Sequence, residues 1–271
     1  MKFEKQKQLI KQALKEDIGR EDITTNAIVP ITKKIRAIVV VKENGVIAGL
    51  DIVKQAFKEL DRKIIFIKKV NDGDFVKKGK IIAEIKGSAR AVLTGERVAL
   101  NILQRLSGIA TLTRKFVKLA GKIKIKDTRK TTPGLRELEK YAVKVGGGTN
   151  HRIRLDDAVL IKDNHIKIAG SVTEAIRRAK KIGKKIEVEV TNMKELKEAI
   201  GENADSILLD NMTPNQIKKA KSFAKGKILE VSGGTNLKNI RSFAKTGVDY
   251  ISVGALTHSP RALDMSLEVL K

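Results

Sequence analysis

From Ile123 onward one unit recurs along the chain: an apolar strand, a polar residue at its C-terminal end, a loop, and an amphipathic helix. The strands read IKIKD, VLIKD, IEVEV, SILLD, ILEVS and YISVG, and the later ones return every ~21 to 27 residues, the spacing of a βα unit. Repeated right-handed units of this size leave a parallel sheet or a barrel as the available architectures. Six strands predict an α/β barrel less complete than the eight-stranded form.

The first hundred residues have another rhythm. KIRAIVVVKENGVIAG, KIIFIKKV and KIIAEIKGSARAVL alternate as strands, separated by turns such as NDGD and KKGK, with one helix at the start and another near Asp51 to Leu60. The fold class expected is therefore α/β: a small N-terminal α+β sandwich domain over residues 1–104, then an incomplete parallel α/β barrel over 105–258. A last helix over about 259–271 is expected to pack back on the first domain. With 271 residues, 41% of them hydrophobic, the chain can bury a core in each.

Composition narrows the chemistry. The chain has no cysteine, which excludes disulfides, thiolate nucleophiles and cysteine-ligated metals. Its apolar runs, such as IRAIVVV, are far shorter than a membrane span, and the charged helical start lacks a signal peptide's apolar region. No membrane association and a cytoplasmic location are expected. The net charge of +25 fits nucleic acid, an anionic substrate, or a lysine-rich surface. Most lysines fall on solvated helix faces, as in RRAKKIGKK, and aromatics are only 3% with no Trp, so few platforms exist for stacking bases. No specific nucleic-acid partner is expected.

In such barrels chemistry collects at the C-terminal ends of the strands. Those ends carry Asp127 with Arg129 and Lys130, then Lys162, Glu189, Asp210, Ser232 with Gly233 and Gly234, and Gly254. Cations, carboxylates and small-residue loops thus converge on one mouth, as a polyanionic ligand bearing hydroxyls or a metal requires. The stretch DTRKTTPGLR after the first barrel strand reads as an anion cradle. Between the first two strands, GGG supplies a left-handed helix end, and His151 and Arg152 follow it. His151 is one of three histidines, all placed by the sequence in polar loops.

DTRKTTPGLR, VGGGTNHRIRLDDAVLIKDNHI, EVEV and LLDN, in this order, resemble the quinolinate phosphoribosyltransferase family. The likeness extends to EDITTNAIVP, TGERVALNILQRLSGIATLT, SGGTNLKNI and SVGALTHSPRALDMSL. It implies phosphoribosyl transfer from phosphoribosyl pyrophosphate to the ring nitrogen of quinolinate, with decarboxylation to nicotinate mononucleotide. By the matching motifs, Arg129, His151, Arg152 and Lys162 surround the two quinolinate carboxylates, and Arg97 is delivered by a neighbouring subunit of a homodimer. Lys130 and Lys162 suit the pyrophosphate. Glu189 and Asp210 hold ribose hydroxyls, stabilise the developing positive charge and help place Mg²⁺. Ser232, Gly233 and Gly254, assisted by His258, receive the 5-phosphate. No side-chain nucleophile is needed, because the pyridine nitrogen attacks. A related pyrophosphorylase-like branch associated with molybdate transport is the alternative for the acceptor, and a basic nucleic-acid-binding protein the more distant one.

Overall fold

The computed structural model describes residues 3–270. Helices α1 (Phe3–Ile18) and α2 (Ile23–Ile28) lead into strands β1 (Lys34–Val41) and β2 (Gly45–Val46), helix α3 (Leu50–Leu60), strands β3 (Ile65–Lys68), β4 (Phe75–Val76) and β5 (Ile81–Ser88), and the long helix α4 (Ala89–Ala120). There follow β6 (Lys124–Lys126), α5 (Arg136–Val145), β7 (Val159–Ile161), α6 (Asp163–Ala169), α7 (Val172–Lys180), β8 (Ile186–Val190) and α8 (Met193–Gly201). The chain ends with β9 (Ser206–Asp210), α9 (Pro214–Phe223), β10 (Ile228–Ser232), α10 (Ile240–Ala244), β11 (Tyr250–Ser252), α11 (Ala255–His258) and β12 (Met265–Leu270). Among the described residues no helix is long and apolar enough to cross a membrane.

These elements form two compact units: Met1–Leu112 with Pro133–Gly146 and Pro260–Lys271, and Thr113–Thr132 with Gly147–Ser259. In the first, an antiparallel sheet of order β12-β1-β5-β3 is covered by helices. The β-branched run of β1 buries Ala37, Val39, Val40 and Val41, as a central strand must. Helix α3 buries Ile52, Val53, Ala56 and Phe57, and Phe57 stacks on Phe66 of β3 with ring centroids 6.4 Å apart. Helix α4 approaches α3 at Gly95, where a Cβ would lie 2.9 Å from Leu60 Cδ1. A glycine there lets the two helices close up.

Two boundary expectations are corrected. Residues 259–271 contain no helix over their described part beyond Ser259; instead Met265–Leu270 is strand β12, antiparallel to β1 with Val41 opposite Met265 and Arg36 opposite Leu270. The free edge of β1 offers a ladder of backbone partners, and this outweighs the helix propensity of Leu and Glu in SLEVL. The first unit also runs past residue 104, because α4 continues unbroken to Ala120 and the division falls inside it, and it includes α5.

In the second unit six parallel strands run in the order β6-β11-β10-β9-β8-β7. The first strand thus lies beside the last, while no pairing joins β6 to β7. Thr149 partly fills that gap through a parallel bridge to Lys126, donating its N–H to Ile125 and accepting from the N–H of Asp127. This is an incomplete barrel. Each βα connection ends in a residue suited to capping the next helix: Ser171 for α7, Asn192 for α8, and Thr213 for α9, with Gln216 completing a capping box. Strand β8 buries Ile186, Val188 and Val190 on one face, which turns Glu187 and Glu189 together to the barrel interior.

Candidate active site

A cavity of about 790 Å³ opens at the C-terminal ends of the barrel strands. Every residue expected at the site lines it except Arg97. Arg97 lies exposed on α4 in the first unit.

The cationic side begins with the DTRKTT loop after β6. Asp127 is buried and accepts the N–H of His151 at 2.8 Å, so it anchors the next loop instead of meeting a ligand. The turn that follows is closed by Lys130 N–H on Thr128 Oγ1 and Thr131 N–H on the Arg129 carbonyl. Thr257 Oγ1 then holds the Lys130 carbonyl at 2.7 Å. Arg152 donates through one terminal nitrogen to the Ala158 carbonyl at 2.9 Å. The Nε–H groups of Arg129 and Arg152 are both buried without a protein acceptor. Burial, and then the nearby charge of Arg129, weaken the hold of Arg152 on its proton, although a guanidinium stays ionised regardless. Two like charges packed together with unmet donors define a binding site for an anion.

On the opposite side Lys162, ending β7, lies 3.1 Å from Glu189 Oε2 at the end of β8. Asp210 ends β9, and its Oδ2 accepts from Asn211 Nδ2 at 2.7 Å. The second oxygen of each carboxylate makes no protein hydrogen bond, so two hard oxygens face the cavity. That donor set suits Mg²⁺, which takes one or two protein carboxylates and completes its shell with water and phosphate. Ser232, Gly233 and Gly234 follow β10, and Gly254 follows β11. At Gly254 a Cβ would lie 3.1 Å from His258 Cδ2 and 3.2 Å from Lys130 Cδ, so the absence of a side chain lets Lys130 and His258 come together. Of the three histidines assigned to loops, His165 and His258 instead lie in the short helices α6 and α11.

His151 departs from its expected role. Its Nδ1 accepts the N–H of Arg152 at 2.9 Å and its Nε2 meets Glu187 Oε2 at 2.7 Å. The first contact leaves Nδ1 without a proton, so the proton sits on Nε2 and is donated to Glu187. The ring lines the cavity with both nitrogens engaged by the protein. Beneath it lies a network the sequence reading did not find. Lys126 Nζ stands 2.5 Å from Glu230 Oε2 and 3.9 Å from the centre of the Tyr250 ring, and Ser252 donates to Glu230. Burial and then the charge of Glu187 raise the Glu230 carboxyl above its usual range, while the His151 hydrogen bond, against the opposing effect of burial, brings Glu187 below it. His151, Glu187 and Glu230 form the group of convergent metal-type donors among the described residues. Lys126 already supplies the balancing positive charge there, so the trio supports the HR loop. The available signal was a second charge two positions before a strand end, as in IKIKD, IEVEV and ILEVS.

The fold and the site together define an α/β-barrel enzyme whose mouth sets unpaired guanidinium groups against ligand-facing carboxylates. Residues 109–268 match the quinolinate phosphoribosyl transferase C-terminal domain, and residues 22–107 the N-terminal domain of the same family. The chain belongs to the quinolinate phosphoribosyltransferase family. It is 46% identical over 97% of its length to a Bacillus subtilis protein described as a probable nicotinate-nucleotide pyrophosphorylase (carboxylating), spanning 93% of that protein. It is 41% identical to the nicotinate-nucleotide pyrophosphorylase (carboxylating) of Mycobacterium leprae, covering 98% of both chains. The solved structure of the Francisella tularensis nicotinate-nucleotide pyrophosphorylase superimposes with a TM-score of 0.94 at 44% identity, over 98% of this chain and 96% of that one.

Proposed function

We propose that the barrel mouth transfers the phosphoribosyl group of phosphoribosyl pyrophosphate to the ring nitrogen of quinolinate, releasing carbon dioxide and pyrophosphate and leaving nicotinate mononucleotide, a step of NAD biosynthesis. The observation that carries this reading is the pair of buried, acceptorless Nε–H groups on Arg129 and Arg152. Planar guanidinium forks match carboxylates in a bidentate manner, and quinolinate brings two of them. Lys130 and Lys162 add point charges for the pyrophosphate.

The pyridine nitrogen forms its bond to the anomeric carbon as the bond from that carbon to pyrophosphate breaks. Positive charge develops on the ribose, and Glu189 and Asp210 stand fixed to stabilise it and to accept from ribose hydroxyls. The cationic ring then takes up the electron pair of the departing carboxylate, and a proton replaces carbon dioxide. For that step the chain holds the other carboxylate and keeps the ring in place. Mg²⁺ is the proposed metal: Glu189 and Asp210 would hold it, and when bound it neutralises charge on the pyrophosphate.

A homodimer with shared sites is proposed as well. Arg97 is exposed and lines no part of the cavity, which supports its delivery to the site of a second copy. The cytoplasm is the proposed compartment. The experiment is direct: purified protein with quinolinate, phosphoribosyl pyrophosphate and Mg²⁺ yields nicotinate mononucleotide and carbon dioxide, whereas nicotinate run in parallel does not react. Turnover of nicotinate in preference would reassign the acceptor.

A further inference from the structure

Asn211, directly after β9, adopts φ 54°, the left-handed region that residues with a Cβ seldom occupy and that Asn tolerates best. Three contacts meet at this one residue. Its N–H donates to the Ser232 carbonyl at 3.0 Å. Its Nδ2 donates to Asp210 Oδ2 at 2.7 Å. Its Oδ1 presses on Gly233, where a Cβ would lie only 2.2 Å away. The amide orientation follows from chemistry: a carboxylate accepts, so the NH₂ group must face Asp210 and the oxygen must face Gly233. Gly233 has φ 91° and no side chain, and both properties are needed for this approach.

We propose that Asn211 is a positioning residue for the ribose phosphate, tying the Asp210 carboxylate after β9 to the small-residue loop after β10 so that both are set as one unit. This inference rests on the function proposed above. It explains why an unfavourable backbone conformation sits at the cavity wall: the strain is maintained where it aims a ligand-facing group. It also assigns the second oxygen of Asp210 to the ligand, because Asn211 occupies the first. Nothing in this arrangement touches Arg129 or Arg152, so Asn211 should govern the ribose side of the site and leave the quinolinate side alone.

The test is calorimetric binding of nicotinate mononucleotide and, separately, of quinolinate to the intact protein, with no turnover and no metal required. Asn211→Gly keeps the left-handed backbone free of strain and removes only the amide. It should weaken nicotinate mononucleotide by about tenfold, as loss of a hydrogen bond to a charged group does, and leave quinolinate affinity unchanged. Asn211→Asp keeps the shape but sets a carboxylate against Asp210 and should weaken it further. In an Asp210→Ala background Asn211→Gly should have no additional effect, because the residue acts through the group already removed. Unchanged mononucleotide affinity in Asn211→Gly, equal losses for both ligands, or additive losses in the double variant would each overturn the proposal. A folded parent protein that binds quinolinate but not nicotinate mononucleotide would instead refute the functional reading beneath it.

Discussion

Lys162 Nζ stands 3.1 Å from Glu189 Oε2, so a cation ending β7 and a carboxylate ending β8 neutralise each other at the mouth of the barrel. The pair is the resting form of two groups with different tasks, one for the pyrophosphate and one for the ribose. The lysine side chain is 48% exposed, and an ion pair this accessible contributes at most ~1 kcal/mol to stability.

Lys162→Met should therefore separate activity from stability. The expected result is a fall in kcat/KM of ~100-fold, the scale of losing one charge-stabilising group, with a melting temperature within a few degrees of the parent. Thermal denaturation beside steady-state kinetics checks this. A large drop in melting temperature with modest kinetic change would assign the pair to the fold.

Arg152→Ala should weaken quinolinate by about 2–5 kcal/mol, the cost of leaving a desolvated anion without its partner, measured by calorimetry. Arg152→Lys should recover little of it, since an ammonium cannot reproduce the fork. Full recovery with lysine would mean that a point charge suffices at this position.

Acid stability has a separate origin, in the first unit. Hydrogen bonds from Arg36 and then Lys86, with Lys69 adding a third, hold the Glu84 carboxyl down at about 2. In the unfolded chain a glutamate takes up its proton near ~4.3. Between these values the unfolded state binds more protons, so stability contributed by Glu84 is complete above ~4.3 and is lost as pH falls towards about 2. Denaturant melts from pH 6 to pH 2 should show a shallower acid decline in Glu84→Gln than in the parent. Parallel curves for the two proteins would remove Glu84 from the account of acid sensitivity.

How much of this was legible depended on how local each determinant is. Lys162, Glu189, Asp210 and Ser232 could be placed from the chain alone, because period-2 alternation and the strand-end rule both act within one βα unit. Strand β12 could not, since SLEVL becomes a strand only against β1, its distant partner along the chain. The interior group of Lys126, Glu187 and Glu230 was hidden for a similar reason. A charge on an isolated strand reads as solvated, and only closure of the sheet, which seats β6 beside β11, makes those faces an interior. His151 was identified as a site residue, but its ring orientation is set by Glu187 on another strand, beyond the reach of its own motif.

Assembly gives the last prediction. The cavity is lined by residues of the barrel unit, while Arg97 projects from α4 in the other unit and is exposed. If a second copy receives Arg97, the two defects Arg97→Ala and Arg129→Ala fall on opposite sides of each shared site. Both variants should be nearly inactive alone. In a mixed dimer one site then combines an intact barrel with an intact Arg97, and the other combines both defects. Random exchange of equal amounts makes half the dimers mixed, and each of those has one sound site of two, so activity should return towards roughly a quarter of the parent value by two-fold symmetry. Subunit exchange is verified independently by mass-tagged chains. Full exchange without recovery would place Arg97 in its own subunit's chemistry, or outside the chemistry altogether, and the shared-site arrangement would be abandoned.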